Sequence, residues 1–341
     1  MLRFALLLSK QYPQRESARE RFLGHLEQVR LARDVDFDTI VLGQHFLSSP
    51  FQELQSVPLL ARVAAESGEM RLGMTILLTA LLPPVEVAEM AATLDVITGG
   101  RFIFGAGLGY RQVEYDAFGV PPGEHVRRFE ENLDVITRLW TEERVTYHGA
   151  HCRLDGASLT LRPLQKPRPP VWLAANNDPA VRRAARVSDA WVINPHGHLP
   201  AISRQLGIYG AELAACGKPF PDDLPLMREL YIAPQHAQAF AEVAPYITTK
   251  YDAYRQWGQQ RALPRDDAWA AEFGELLRDR FVIGDPVAVR EDLQRYLEAM
   301  PGVNHLIFRV QYPGMPQEYV LRAIRLLAEQ VRPHLRPMPA G

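Results

Sequence analysis

The chain has 341 residues, 47% of them hydrophobic and 23% charged, with a formal net charge of −2. Such a composition is globular rather than disordered and long enough to bury a large core. The near-neutral balance argues against an electrostatic grip on nucleic acid, which requires a concentrated basic face, and two distant cysteines, Cys152 and Cys216, suggest neither a disulfide framework nor a zinc motif.

The opening "MLRFALLLSKQ" holds a short apolar run with no small-residue cleavage site, so it reads as a first strand and not as a leader. The longest apolar stretch, "MTILLTALLPPVEVA", is too short for a membrane span and is broken by Pro83 and Pro84. These features lead to the expectation of a cytoplasmic protein with no membrane and no nucleic-acid partner.

Short β-rich runs at 3–8, 39–42, 71–78, 102–106, 171–175, 190–194, 226–232 and 305–310 alternate with amphipathic stretches. The helical stretches are 16–34, 51–67, 85–98, 124–140, 179–187, 200–216, 235–257, 286–300 and 317–331. In the third, Val85, Ala88, Ala92 and Val96 keep an apolar stripe, and Gly99–Gly100 supplies a left-handed stop. Eight strand–helix units spell an α/β fold, a single (β/α)8 TIM barrel spanning 1–332, followed by a loose proline-rich tail at 333–341.

Two segments exceed a plain barrel. After the fourth strand unit an insertion of about 141–170 contains "VTYHGAHCRL", a hairpin turning at His148–Ala150, and then a stiff proline connector. After the seventh strand an insertion of about 235–285 carries Tyr251, Tyr254 and Trp257 at helical spacing, which serves either to pack the insertion or to form a lid.

The stretch "RFIFGAGLGYRQVEY" sets Gly105, Gly107 and Gly109 at alternate positions on the fourth strand. The spacing is neither the dinucleotide fingerprint nor a P-loop. Two readings stand: glycines that let barrel elements pack closely, or glycines that let a ligand approach the backbone while the next helix start holds an anion. "NPHGHL" raises a zinc or iron site at His196 and His198, but no acidic partner accompanies them, so no metal is expected. Arg228, Tyr231, Arg309 and Gln311 fall at or near late strand ends, where they serve surface solvation or substrate contact.

"LDVITGGRFIFGAGLGYRQVEYDAFGV" resembles the signature of the bacterial luciferase-like, flavin-dependent monooxygenase family: Leu-Asp, then Thr-Gly-Gly-Arg, a strand, Gly-x-Gly-x-Gly, a Glu and Phe-Gly-Val. The resemblance continues in order through "LWTEERVTYHGAHCRL", "PPVWLAANNDPAVRRAARVSDAWV", "IGDPVAVREDLQRYL" and "PGMPQEYVLRAIRLLAEQVRPHLR", and so covers nearly the whole chain. It implies a flavin bound at the carboxyl ends of the barrel strands.

Residue by residue, the resemblance places Gly105, Gly107, Gly109 and Tyr110 along the flavin and its ribityl phosphate, with Arg111 either a phosphate contact or a solvated charge. Ala175, Asn176 and Asn177 match the phosphate-binding turn, and Asp178 is a candidate cap for the helix that follows. Thr75 and Ile76 match a non-prolyl cis peptide held against the flavin ring. His45 is the catalytic candidate, where an unaided reading sees a structural histidine. Its neighbour is Gln44 where the family commonly has Glu, and the missing charge leaves a general-base role open. Gln44, His196, Tyr231 and Arg309 are substrate candidates.

The implied activity is oxygenation of a small organic substrate with O2 and reduced FMN supplied by a separate reductase, in a homodimer. Hydride transfer with a 5-deazaflavin coenzyme on the same fold, and a non-catalytic flavin-binding protein, are the alternatives.

Overall fold

A computed structural model describes residues 2–263, 277 and 279–340. Eight parallel strands form the barrel: β1 (Arg3–Leu7), β2 (Thr39–Leu42), β3 (Arg71–Met74), β4 (Phe102–Gly107), β5 (Val171–Ala175), β6 (Ala190–Ile193), β7 (Pro225–Ile232) and β8 (His305–Arg309). Each pairs with its neighbours in sequence, and β8 pairs with β1, so the sheet closes. The fold is therefore the (β/α)8 barrel that the alternation of elements implies.

The two-residue period of a strand sorts its side chains between two cores. Ala5, Leu7, Val41, Ile103, Trp172, Ala190, Val192, Met227 and Ile307 point inward and fill the barrel. Phe4, Leu6, Ile40, Leu42, Leu72, Phe102 and Phe104 join the outer layer beneath the helices. Fully burying such a side chain contributes about 1.5–3 kcal/mol, which makes a one-residue register slip prohibitive.

The main helices are α1 (Ala18–Asp34), α2 (Ser56–Val63), α3 (Pro84–Ile97), α4 (Gln112–Ala117), α5 (His125–Thr141), α6 (Asp178–Val187), α7 (Leu199–Ala215), α8 (His236–Gln256), α9 (Pro286–Ala299) and α10 (Gln317–Leu326). Several starts follow capping chemistry: Ser17 accepts from Glu20 N at 3.3 Å, and Asp285 accepts from Val287 N and Ala288 N at 3.0 Å each. No helix among the described residues is long and apolar enough to cross a membrane.

Three expectations are corrected. The helix expected over 51–67 begins as a strand, Phe51–Glu53, paired antiparallel with Gln11–Pro13, before α2 starts at Ser56. The third strand does not run unbroken to Leu78: it stops at Met74, passes through a cis Thr75–Ile76 peptide and resumes at Leu77–Leu78. The C-terminal residues, expected to be loose, are tied down at two points, with Leu335 buried and Gly302 N donating to Met338 O at 2.9 Å, while 338–340 are exposed. The hairpin of the first insertion forms between Val145–His148 and Arg153–Ala157. Much of the second insertion is α8, and 264–276 lies outside the described residues.

Candidate active site

A cavity of about 430 Å³ opens at the carboxyl ends of the strands. Its walls come from residues just past β1 (Ser9, Lys10, Gln11), β2 (Gly43, Gln44, His45), β3 (Thr75, Ile76, Leu78), β4 (Leu108, Gly109, Tyr110), β5 (Asn176, Asn177) and β6 (Asn194, His196), with Ala175 and Arg309 closing β5 and β8. Tyr254 near the end of α8, and Gly258, Gln259, Arg261 and Ala262 beyond it, add a further wall.

The alternate glycines answer two different demands. A Cβ on Gly105 would overlap the Met74 carbonyl oxygen, and one on Gly107 would overlap Ile76 Cδ1. What approaches β4 is therefore the end of β3 at Gly105 and the Ile76 side chain just beyond β3 at Gly107, and neither glycine is a cavity wall. Gly109 differs: it lines the cavity and has φ +83°, a conformation that a side chain disfavours.

The sequence offers His45 no adjacent carboxylate, because its neighbour is Gln44. The structure supplies one from α4, since His45 Nδ1 lies 3.2 Å from Glu114 Oε1. A carboxylate only accepts, so this contact places a proton on Nδ1 and leaves Nε2 of a neutral ring as the acceptor. Glu114, 1% exposed, also accepts from Phe46 N at 2.9 Å and from Arg111 Nη1 at 3.3 Å. Gln44 acts elsewhere, with its Oε1 accepting from Leu78 N at 3.0 Å and so holding the chain beyond the cis peptide.

Arg111 is a brace rather than a cavity wall. It donates to Phe46 O at 2.6 Å and Leu47 O at 2.9 Å, and its guanidinium lies 4.0 Å from the centroid of Trp257. Trp257 stacks on Tyr254 and donates from Nε1 to Ser49 O at 2.8 Å. The aromatic cluster thus divides its duties: Tyr251 is packed against Phe281, Trp257 ties α8 to the loop after β2, and Tyr254 faces the cavity.

At β5, the cap of α6 is Asn177 rather than Asp178, with Asn177 Oδ1 accepting from Ala180 N at 3.1 Å. Asp178 instead accepts from Arg204 and Gln205. Ala175, Asn176 and Asn177 all line the cavity, so the positive end of the α6 dipole faces it. Past β6, Asn194 Oδ1 accepts from His196 N at 2.8 Å and Gly197 N at 2.9 Å, which curls the loop and sets His196 in the wall. His196 Nδ1 lies 3.0 Å from Tyr251 OH. Burial, with the charges of Lys250 and Arg309 adding to it, pushes His196 well below the usual histidine range, so the ring is neutral.

Of the four late-strand residues, Arg309 alone is a cavity wall. Arg228 is fully buried and donates to Asn194 O, Pro195 O and Gly197 O, bracing the loop that carries His196. Tyr231 is not a wall, because its hydroxyl donates to Glu242 Oε2 at 2.6 Å away from the cavity. Gln311 accepts from Gln28 Nε2. Among the described residues no three His, Cys, Asp or Glu side chains are grouped to hold a metal.

A buried charged chain that sequence reasoning misses runs along the β1–β8 side. Lys10 pairs with Glu53, which also accepts from Gln11 Nε2 at 3.0 Å and Ser48 Oγ at 2.6 Å. Tyr254 OH donates to Gln11 Oε1 at 3.1 Å, and Arg309 Nη1 donates to Tyr254 OH at 3.4 Å. Behind Arg309, Glu229 pairs with Lys250, whose ammonium burial pushes down to about 7. In the sequence Lys10 stands only at the end of a strand and Glu114 only within a signature. Glu53 falls in a stretch with helical periodicity, and nothing local marks it as the partner of a residue 43 positions away.

A closed parallel barrel with a polar-walled cavity at the carboxyl ends of its strands is the architecture of a barrel enzyme. The chain belongs to the luciferase-like monooxygenase family, whose model matches residues 2–302. It is 27% identical over 326 residues to an F420-dependent glucose-6-phosphate dehydrogenase of Microbacterium testaceum, covering 90% of this chain and 91% of the relative. The monooxygenase RslO1 from Streptomyces bottropensis has the same fold, with a TM-score of 0.85, 24% identity and coverage of 98% and 99%. So does the oxygenating constituent of 3,6-diketocamphane monooxygenase from Pseudomonas putida, solved with FMN, with a TM-score of 0.82, 18% identity and 100% of both chains covered. Proteins similar to this chain thus include an F420-dependent dehydrogenase, an FMNH2-dependent monooxygenase and a monooxygenase solved with FMN.

Proposed function

We propose that this chain is a monooxygenase that uses reduced FMN and O2 to oxygenate a small organic substrate. The observation that carries the reading is the donor set of the cavity. Ser9 Oγ, Thr75 Oγ1 and Tyr110 OH are buried in its walls with no hydrogen-bond partner among the described residues. Buried polar groups are costly without partners, so these three fit the polar edges of a bound ring system and its ribityl chain. Ile76, Leu78 and Leu108 offer apolar surface beside them.

Asn176, Asn177 and the α6 N-terminus would hold the phosphate. The β4–β5 walls, from Leu108 to Tyr110 and Ala174 to Asn177, contain no Lys or Arg, which suits a single phosphate better than a longer polyanionic tail. Bound reduced flavin would supply the electrons that activate O2. The protein would bind, orient and exclude water. His45, with Nδ1 against Glu114, would take or return a proton at Nε2, and Tyr254 with the segment after α8 would keep bulk water out. A deazaflavin-dependent dehydrogenase is the second reading, favoured by the relative from Microbacterium testaceum.

Anaerobic fluorescence titrations with FMN, reduced FMN and F420 separate the two. The expected result is saturable binding of reduced FMN and slowed reoxidation of the bound flavin by O2 in stopped flow. Saturable F420 binding with no binding of either FMN form overturns the proposal. Reduced FMN that reoxidises at the free rate in the presence of saturating protein removes the oxygenase assignment.

A further inference from the structure

The cavity walls carry more positive than negative charge. Among the described residues, Lys10, Arg261 and Arg309 line it as cations and Glu53 is the lone carboxylate. Glu53 is already engaged by Lys10, Gln11 and Ser48. Arg309 has weaker company. Its guanidinium makes one hydrogen bond among the described residues, the 3.4 Å bond to Tyr254 OH, and its Nε lies 3.6 Å from Glu229, a carboxylate it shares with Lys250. A guanidinium carries five donors in a fixed fork, so although Glu229 supports its charge, most of the Arg309 donors have no acceptor among the described residues and are left for a ligand in the cavity. Burial pushes Lys10 and His196 down, and the Arg309 charge adds to both effects, which places the three groups within one field.

The position of this excess separates it from the phosphate end. Lys10 follows β1 and Arg309 ends β8, neighbouring strands that lie opposite β5 and β4 in a ring of eight. We infer that Lys10 and Arg309 form an anion subsite on the β1–β8 side, and that the organic substrate carries a carboxylate or sulfonate that binds there. The Arg309 fork can meet two oxygens of such a group, with Lys10 as a second charge. This inference rests on reading the cavity as a flavin oxygenase site.

Isothermal titration of the FMN-saturated chain with cyclohexanecarboxylate, hexanesulfonate and the neutral cyclohexanecarboxamide tests it. Both anions should bind about tenfold or more tightly than the amide, as charge-assisted hydrogen bonds imply. Arg309→Gln should abolish that preference and Arg309→Lys should retain part of it, while FMN binds both variants as it binds wild type. Lys10→Met is an independent variant with the same expected loss. Equal binding of anion and amide to wild type, or no binding of any of the three, overturns the inference. A parallel loss of FMN affinity in Arg309→Gln also overturns it, by assigning the cations to the cofactor. If wild type binds no FMN, the proposed function fails, and the same titration on the protein alone still decides the subsite.

Discussion

Substitution of alanine at Gly105 and Gly107 separates a packing demand from a ligand demand. A methyl on Gly105 would overlap the Met74 carbonyl oxygen and sit 2.9 Å from its carbon. Both are backbone atoms, so relief requires β3 to move. That movement strains the neighbouring Thr75 N to Leu42 O bond of 2.7 Å as well. Overpacking typically costs about 1–3 kcal/mol and a lost hydrogen bond about 1 kcal/mol. Gly105→Ala should therefore cost about 3 kcal/mol, a large fraction of ordinary stability.

A methyl on Gly107 would instead overlap Ile76 Cδ1, the far end of a side chain, and lie 3.2 Å from Cγ1. A rotamer change of about 1 kcal/mol can clear it, at the expense of moving Cδ1. Ile76→Val removes that atom and should rescue Gly107→Ala, leaving a coupling of about 0.5 kcal/mol or more in a double-mutant cycle. Met74→Ala should not rescue Gly105→Ala, because the obstacle there is a carbonyl. Urea unfolding followed by circular dichroism reads all of these variants. Gly105→Ala within about 0.5 kcal/mol of wild type, or additivity of Gly107→Ala with Ile76→Val, would show that neither glycine answers a packing demand.

Asn177→Ala should cost about 1 kcal/mol of stability through loss of the α6 cap and should weaken FMN more than riboflavin, compared by fluorescence titration. His45→Asn should lower turnover about 10²–10⁴-fold with FMN affinity little changed, as measured by steady-state oxygen uptake, if Nε2 handles a proton. Glu114→Gln strips the counter-charge from buried Arg111 and should reduce thermal stability more than His45→Asn does. Asp223 tests acid behaviour: burial raises its carboxyl, but the His305 hydrogen bond and the His305 and Arg71 charges outweigh burial and hold it well below the usual range. A depressed carboxyl stabilises the fold above its unfolded value and loses that contribution as pH falls. Between about pH 4 and 2, Asp223→Asn should thus show a stability slope shallower by up to one proton, measured by urea midpoints.

Much of the fold is legible in the sequence because strands and helices have different apolar periods, and eight alternations leave few topologies. Lys10, Glu53, Glu114 and Glu229 are not legible as a site, since a buried charge looks like a surface charge until its partner is known. Arg111 and Tyr231 resemble ligand contacts because strand-end position is local, whereas their partners Phe46, Leu47 and Glu242 come from other elements. The helix expected from Phe51 is a strand there because pairing with Gln11–Pro13 outweighs helical periodicity.

Periodicity is enough to read the eight-strand order and the placing of His45, Tyr110 and Asn176–Asn177 at strand ends, and family resemblance adds the cis peptide at Thr75–Ile76. Closure of the barrel sets which glycine faces the cavity and which face Met74 and Ile76, and gives His45 its carboxylate from Glu114 rather than from position 44. The physical reason is range. Periodicity and capping act within a few residues, while close approach, desolvation and charge pairing depend on groups brought together by closure of the barrel.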